Sequence, residues 1–118
     1  MIMAMHDIPY MATCSPAYIP DMVAKLEKAI EASKEGLAYL DVYNPCLTGW
    51  GIKAEESIEV SRLAVETNFF PLYEVEQGKF TISKTFKEPK PIGEYIGRMK
   101  KFKHLNEAEK ADIQAMID

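Results

Sequence analysis

Hydrophobic residues fall into alternating strand-like runs and helix-like stripes along this chain. Ile8-Pro9-Tyr10-Met11-Ala12-Thr13-Cys14 is a short apolar run fit for a strand, ending at the turn formers Ser15-Pro16. Pro20 then occupies a first helical position, with Asp21 in the first turn where the helix dipole favours an acid. Met22, Val23, Leu26, Ala29 and Ile30 recur at helical spacing and predict a core-facing stripe. Lys25, Glu27, Lys28 and Glu31 fill the opposite, solvent face. Gly36 is expected to close this helix in a positive-φ conformation. Residues 37–43, Leu-Ala-Tyr-Leu-Asp-Val-Tyr, are nearly continuous apolar sequence, which suits a strand buried on both faces of a parallel sheet.

The loop of residues 44–51 follows, and residues 54–67 read as a second helix. Glu55 and Glu56 lie in its first turn, and Val60, Leu63, Ala64 and Thr67 form its stripe. Polarity then alternates on either side of Gln77-Gly78, which predicts a two-residue hairpin. Tyr73 and Val75 share one face, as do Phe80 and Ile82. Residues 85–91, rich in proline and lysine, read as an extended arm. A short helix is expected around residues 93–99. Asn106 is placed to cap a final helix carrying Ile113, Met116 and Ile117.

Strand, helix, strand, loop, helix is the order of a doubly wound α/β fold. On this reading residues 1–70 are part of an α/β domain, and residues 71–118 are a hairpin with an extended or helical tail. Two features suggest a piece of a larger unit. Met1-Ile2-Met3-Ala4-Met5 resembles the last turns of a buried helix with no cap before it. Buried-type parallel strands also need neighbours that this chain does not supply, so the sheet is expected to be completed by polypeptide outside it.

Composition narrows the function. At 118 residues, 47% hydrophobic and 27% charged, the chain has an ordinary globular make-up. A net charge of −4 argues against nucleic acid as the main partner. No apolar run reaches the roughly 18 residues needed to cross a bilayer, and the amino terminus lacks the parts of a secretory signal. A cytoplasmic protein with no membrane partner is expected. Two cysteines, Cys14 and Cys46, are expected to stay reduced, though their pairing is left open.

No stand-alone active site is visible: the chain has no Gly-rich phosphate loop, no HExxH helix and no CxxC pair. His6 and His104 stand alone, without partners at ligand spacing. Cys14, at the end of an apolar strand, reads as a small buried hydrophobe. Cys46 follows the carboxy end of a strand, where α/β folds build their sites, in a loop tightened by Pro45, Gly49 and Gly51. On residues alone a structural thiol is still the simpler reading of Cys46, because no base lies nearby. Trp50 reads as a core-closing side chain, with a subunit contact as the sharper alternative. The stretch from Lys84 to Lys103, with Lys87, Lys90, Arg98, Lys100 and Lys101 between, reads as a solvated or subunit-docking arm.

Several blocks in register resemble one family. Ile8 to Ser15 with Ala17-Tyr18, then Tyr43-Asn44-Pro45-Cys46-Leu47-Thr48-Gly49-Trp50-Gly51, resemble beta subunits of pyruvate:ferredoxin oxidoreductases. Arg62 to Thr67, Phe70 to Val75 and Phe102-Lys103-His104-Leu105 follow in the same order. The resemblance covers essentially the whole chain and corresponds to the carboxy-terminal part of the thiamine-diphosphate-binding subunit.

The resemblance implies oxidative decarboxylation of a 2-oxoacid, pyruvate first, to an acyl-coenzyme A, with electrons leaving through iron–sulfur clusters to ferredoxin. It implies thiamine diphosphate, Mg²⁺ and a four-iron four-sulfur cluster in the intact enzyme, and it matches Cys46 to the last of four cluster-holding cysteines. Cys14 matches no ligand. The other three cysteines and the diphosphate-binding segment of the family lie upstream of this region, so no cofactor is expected in this chain alone. Implied partners are the other oxidoreductase subunits or the amino-terminal part of the same subunit, with ferredoxin and coenzyme A meeting the assembly. Two other readings stand beside this one: an interaction module that kept the fold without the chemistry, and a basic-armed nucleic-acid binder.

Overall fold

Strand β1 (Tyr10–Cys14) lies inside a four-stranded sheet ordered β2-β1-β3-β4 in the computed structural model, which describes residues 2–118. β2 (Ala38–Val42) pairs with β1 in parallel, while β3 (Tyr73–Glu76) pairs with its other edge antiparallel. β4 (Lys79–Ile82) completes the hairpin with β3. The α/β class is borne out, with one parallel pair and the hairpin built into the same sheet.

The chain forms two units. The first comprises the residues up to Tyr43 together with Pro71–Thr85, and the second comprises Asn44–Phe70 and Phe86–Asp118.

In the first unit every residue of β1 is buried. Tyr10 and Ala12 meet Ala29 of helix α1 (Ile19–Ala32) on one face, with Ala32, Ala38 and Leu40 alongside. Met11 joins Tyr73 and Val75 on the other, backed by Met3, Ala4 and Ile8. The hairpin turn is as expected: Gln77 and Gly78 have φ of 49° and 78°, both left-handed, as a two-residue turn matching strand twist requires. The Tyr73 and Phe80 rings lie 5.1 Å apart across the pair.

Four expectations for this unit are corrected. β2 is not buried on both faces; it is an edge strand, with Tyr39 and Val42 exposed. α1 turns most of its predicted core stripe outward: Ala29 is buried as expected, whereas Val23, Leu26 and Ile30 are exposed, and Lys25, read on the solvent face, is buried in their place. Small side chains at Ala29 and Ala32 let the helix approach the sheet closely, and Lys25 satisfies its charge there. Gly36 has no positive φ; its place is set by Pro9, whose Cγ would lie 3.0 Å from an added Cβ. Ile2–His6 is a 3₁₀ turn with no buried residue rather than the end of a buried helix, and Met1 lies outside the described residues.

In the second unit the 54–67 helix divides into a 3₁₀ turn (Ala54–Glu56) and α3 (Ser57–Glu66). Its stripe is as read: Val60, Leu63, Ala64 and Thr67 are all buried. Asn68 ends it in the left-handed region (φ 58°), where asparagine is tolerated. α3 packs on α4 (Ile92–Ile96), whose Ile92, Tyr95 and Ile96 are buried. Phe69 stacks on Tyr95 with ring centroids 4.9 Å apart. A 3₁₀ turn (Lys100–Phe102) leads to α5 (Glu107–Ile117). Asn106 caps α5 as expected, in a reciprocal pair: its Oδ1 accepts from the Glu109 amide at 2.9 Å, and Glu109 accepts from the Asn106 amide at 2.8 Å.

Candidate functional site around Cys46

Cys46 precedes a one-turn helix, α2 (Leu47–Trp50), with an extended backbone (φ −83°, ψ 101°). Its carbonyl accepts from the Trp50 amide at 2.9 Å, and the Leu47 carbonyl accepts from the Ile52 amide at 2.9 Å. Gly51 turns the chain at φ 67°, where a Cβ would lie 2.6 Å from Cβ of Lys100. A Cβ at Gly49 would come within 3.0 Å of the Cys46 sulfur. Glycine there leaves the thiol room, and Cys46 is exposed. The tight loop read from Pro45, Gly49 and Gly51 therefore leaves Cys46 accessible.

A cation stands beside this loop. Lys101 Nζ lies 3.8 Å from the Trp50 ring centroid and 4.8 Å from that of Phe102. Partial burial lowers the Lys101 pKa, and the nearby Cys46 acts in the opposite direction. Trp50 is half-buried and serves as a platform for this ammonium, a role neither of its expected readings included. Sequence reasoning missed the pair because its members are far apart in the chain and no local pattern links them.

The basic side chains of the Lys84–Lys103 stretch are exposed, as a solvated arm requires, but the stretch is held at several points. Its Met99 is buried, Arg98 pairs with Glu59 at 2.7 Å and Glu56 at 3.6 Å, and Lys90 pairs with Glu66 at 2.8 Å. Lys53, Lys100 and Lys103 line an open groove of about 330 Å³ beside Leu47 and Thr48.

The other candidates are placed apart from this chemistry. Cys14 is fully buried at the end of β1, where burial pushes its thiol pKa up. Both cysteines are free thiols. His6 and His104 are exposed. Among the described residues no group of three or more His, Cys, Asp or Glu side chains could hold a metal ion. One thiolate does not make a four-iron four-sulfur site, which needs four such ligands, so this donor set does not fit the cluster by itself. No helix of the described residues is long and apolar enough to cross a membrane.

No protein-family profile matches the chain. Individual relatives do, along its whole length. It is 46% identical over 118 residues to the pyruvate synthase subunit PorB of Methanocaldococcus jannaschii, covering 100% of this chain and 39% of that protein. It is 41% identical over 118 residues to the ketoisovalerate oxidoreductase subunit VorB of Pyrococcus furiosus, covering 98% of this chain and 37% of that one. The beta subunit of the NADH-dependent phenylglyoxylate dehydrogenase of Aromatoleum evansii is 42% identical over 118 residues, with 26% of its length covered. The chain thus spans about two fifths of the length of its PorB relatives, matching their carboxy-terminal part.

Proposed function

Because the chain belongs to the PorB and VorB family of 2-oxoacid oxidoreductase beta subunits, we propose that it supplies the carboxy-terminal portion of such a subunit and acts only within the assembly. The observation that carries this reading is the whole-length match at 46% identity. The reaction proposed is oxidative decarboxylation of a 2-oxoacid to its acyl-coenzyme A, with electrons passed to ferredoxin. Pyruvate is the first candidate substrate, since the relatives named for it reach the higher identity.

Thiamine diphosphate with Mg²⁺ and a four-iron four-sulfur cluster are proposed for the assembly. Thiamine diphosphate supplies the carbanion chemistry, and the protein contributes positioning and charge. In this chain Cys46 is proposed as one cluster ligand, with the other three thiolates coming from polypeptide outside it. The exposure of Cys46, the clearance at Gly49 and the tight turn at Gly51 support that role. The remaining part of the subunit, or other oxidoreductase subunits, are the proposed partners.

The test is anaerobic reconstitution with ferrous iron and sulfide, on the chain alone and on the chain co-expressed with the PorB segment it does not match. The chain alone is expected to bind no stoichiometric cluster. The co-expressed assembly is expected to show a four-iron four-sulfur signal that Cys46→Ser loses. A full cluster on the isolated chain, or a cluster unchanged by Cys46→Ser, overturns the assignment.

A further inference from the structure

Helix α1 carries four large apolar side chains that the described residues leave about half exposed. Ile19, Val23, Leu26 and Ile30 are 59%, 45%, 48% and 59% exposed. Their spacing of four, three and four residues puts them on one stripe. A single exposed leucine is ordinary, but a continuous helical stripe of this kind marks a contact surface.

The direction of the stripe follows from the other faces of the helix. Lys25 and Ala29 face the sheet. Lys28 leans to one flank, where its Nζ meets Glu74 at 2.7 Å and Glu76 at 3.4 Å, both on β3. At about 100° per residue, the centre of the apolar stripe falls roughly 170° round the helix from Lys28. β3 and β2 flank β1 on opposite sides. The stripe therefore points past the β2 edge of the sheet.

That edge is open. β2 pairs only with β1 among the described residues, so one line of its backbone N–H and C=O groups has no strand partner. Leu40 is half-buried on the α1 face, and Val42 on the same face is 47% exposed. An unpaired, largely apolar edge beside an apolar helix flank is the shape left when the next strand–helix pair of an α/β layer is absent.

We infer that the β2 edge and the Ile19–Val23–Leu26–Ile30 stripe dock one further strand and its covering helix. These come from the part of a PorB-type subunit that this chain does not match. The strand extends the sheet at β2, and the helix lies alongside α1 on the stripe. The length of the relatives points to this occupant: some three fifths of a PorB chain lies beyond the matched part. The inference rests on the proposed function and names the surface through which the assembly forms.

The experiment co-expresses the tagged chain with the unmatched segment of Methanocaldococcus jannaschii PorB. Complex formation is followed by size-exclusion chromatography and hydrogen exchange of β2. The wild-type chain is expected to form a one-to-one complex in which β2 amides not bonded to β1 exchange at least tenfold more slowly. Val23→Asp and Leu26→Asp are expected to weaken the complex at least tenfold, and circular dichroism checks that each variant chain is folded. Glu31→Lys, off the stripe, is expected to leave it unchanged. A complex that forms with unchanged β2 exchange, or that tolerates both aspartates, overturns the docking surface but leaves the proposed function standing. Absence of any complex overturns both. A dimer of the chain alone that the aspartates dissolve would replace this occupant with a second copy.

Discussion

Lys25 Nζ donates a 2.9 Å hydrogen bond to the backbone carbonyl of Thr13 beneath helix α1. The lysine is 2% exposed, and its charge is met by the Asp21 carboxylate one turn earlier at 2.7 Å. The pair fixes the rotation of the helix on the sheet, because a buried ammonium must keep both partners.

Lys25→Ala should therefore lower stability by about 2 kcal/mol, combining the lost hydrogen bonds with an uncompensated Asp21. Lys25→Met should cost less, since the methionine keeps the packed stem. Urea midpoints for the two variants check the order. Equal, near-zero effects would show that Lys25 does not anchor the helix.

Glu74 gives the first unit a pH dependence. Burial by itself raises its carboxyl pKa, but hydrogen bonds from Lys28 and Tyr10, both 2.7 Å, outweigh this and hold it below the usual range. The folded chain thus binds the proton less tightly than the unfolded chain, whose glutamates titrate near roughly 4.3. Unfolding takes up a proton in that window, so this stability is present above it and lost as pH falls through the folded value. Lys28 is 43% exposed, and solvent screening limits the contribution to about 1 kcal/mol or less. Glu74→Gln should flatten the rise of the urea midpoint as pH climbs through the acidic range toward the unfolded glutamate value. An unchanged slope would assign the acid sensitivity to other carboxylates.

Gly51 and Gly78 both have left-handed backbones, with φ of 67° and 78°, but different surroundings. An added Cβ at Gly78 meets nothing within 4 Å, whereas at Gly51 it would lie 2.6 Å from Cβ of Lys100. Gly78→Ala should cost only the backbone penalty, about 1 kcal/mol. Gly51→Ala should cost clearly more, and it should also disturb the Lys101–Trp50 contact on the adjoining turn, visible as a change in tryptophan fluorescence. Thermal melts of the two variants test the order, and equal losses would mean that the 100–102 turn moves aside freely.

Where a local pattern and its partner lie in the same chain, the fold was legible. The α3 stripe of Val60, Leu63, Ala64 and Thr67, the Gln77-Gly78 turn and the Asn106 cap are each legible in the sequence, because each depends on residues a few positions apart. The rotation of α1 was not legible. An apolar stripe spells "buried" whatever buries it, so Val23, Leu26 and Ile30 look like the chain's own core even though they lie on the surface. Lys25 looks like solvent because its partners, Asp21 and the Thr13 carbonyl, appear only once the helix is laid on the sheet. The same limit applied at Cys46: its loop was readable, whereas Lys101 over Trp50 is a tertiary contact without a sequence signature.

The two thiols should differ sharply in reactivity. Cys46 is exposed in its loop beside a lysine, while Cys14 is 0% exposed and its pKa is pushed up by burial. Alkylation requires both a thiolate and access, so the native chain should react once with iodoacetamide, at Cys46. Cys14 should react only when β1 opens, at a rate that follows unfolding of the first unit. Mass spectrometry of the timed reaction reads both events. Lys25→Ala, which frees α1 from β1, should speed Cys14 labelling several-fold and leave Cys46 unchanged. If Cys14 labels as fast as Cys46 in the native chain, β1 is not the protected centre of the sheet and the Lys25 anchor fails with it.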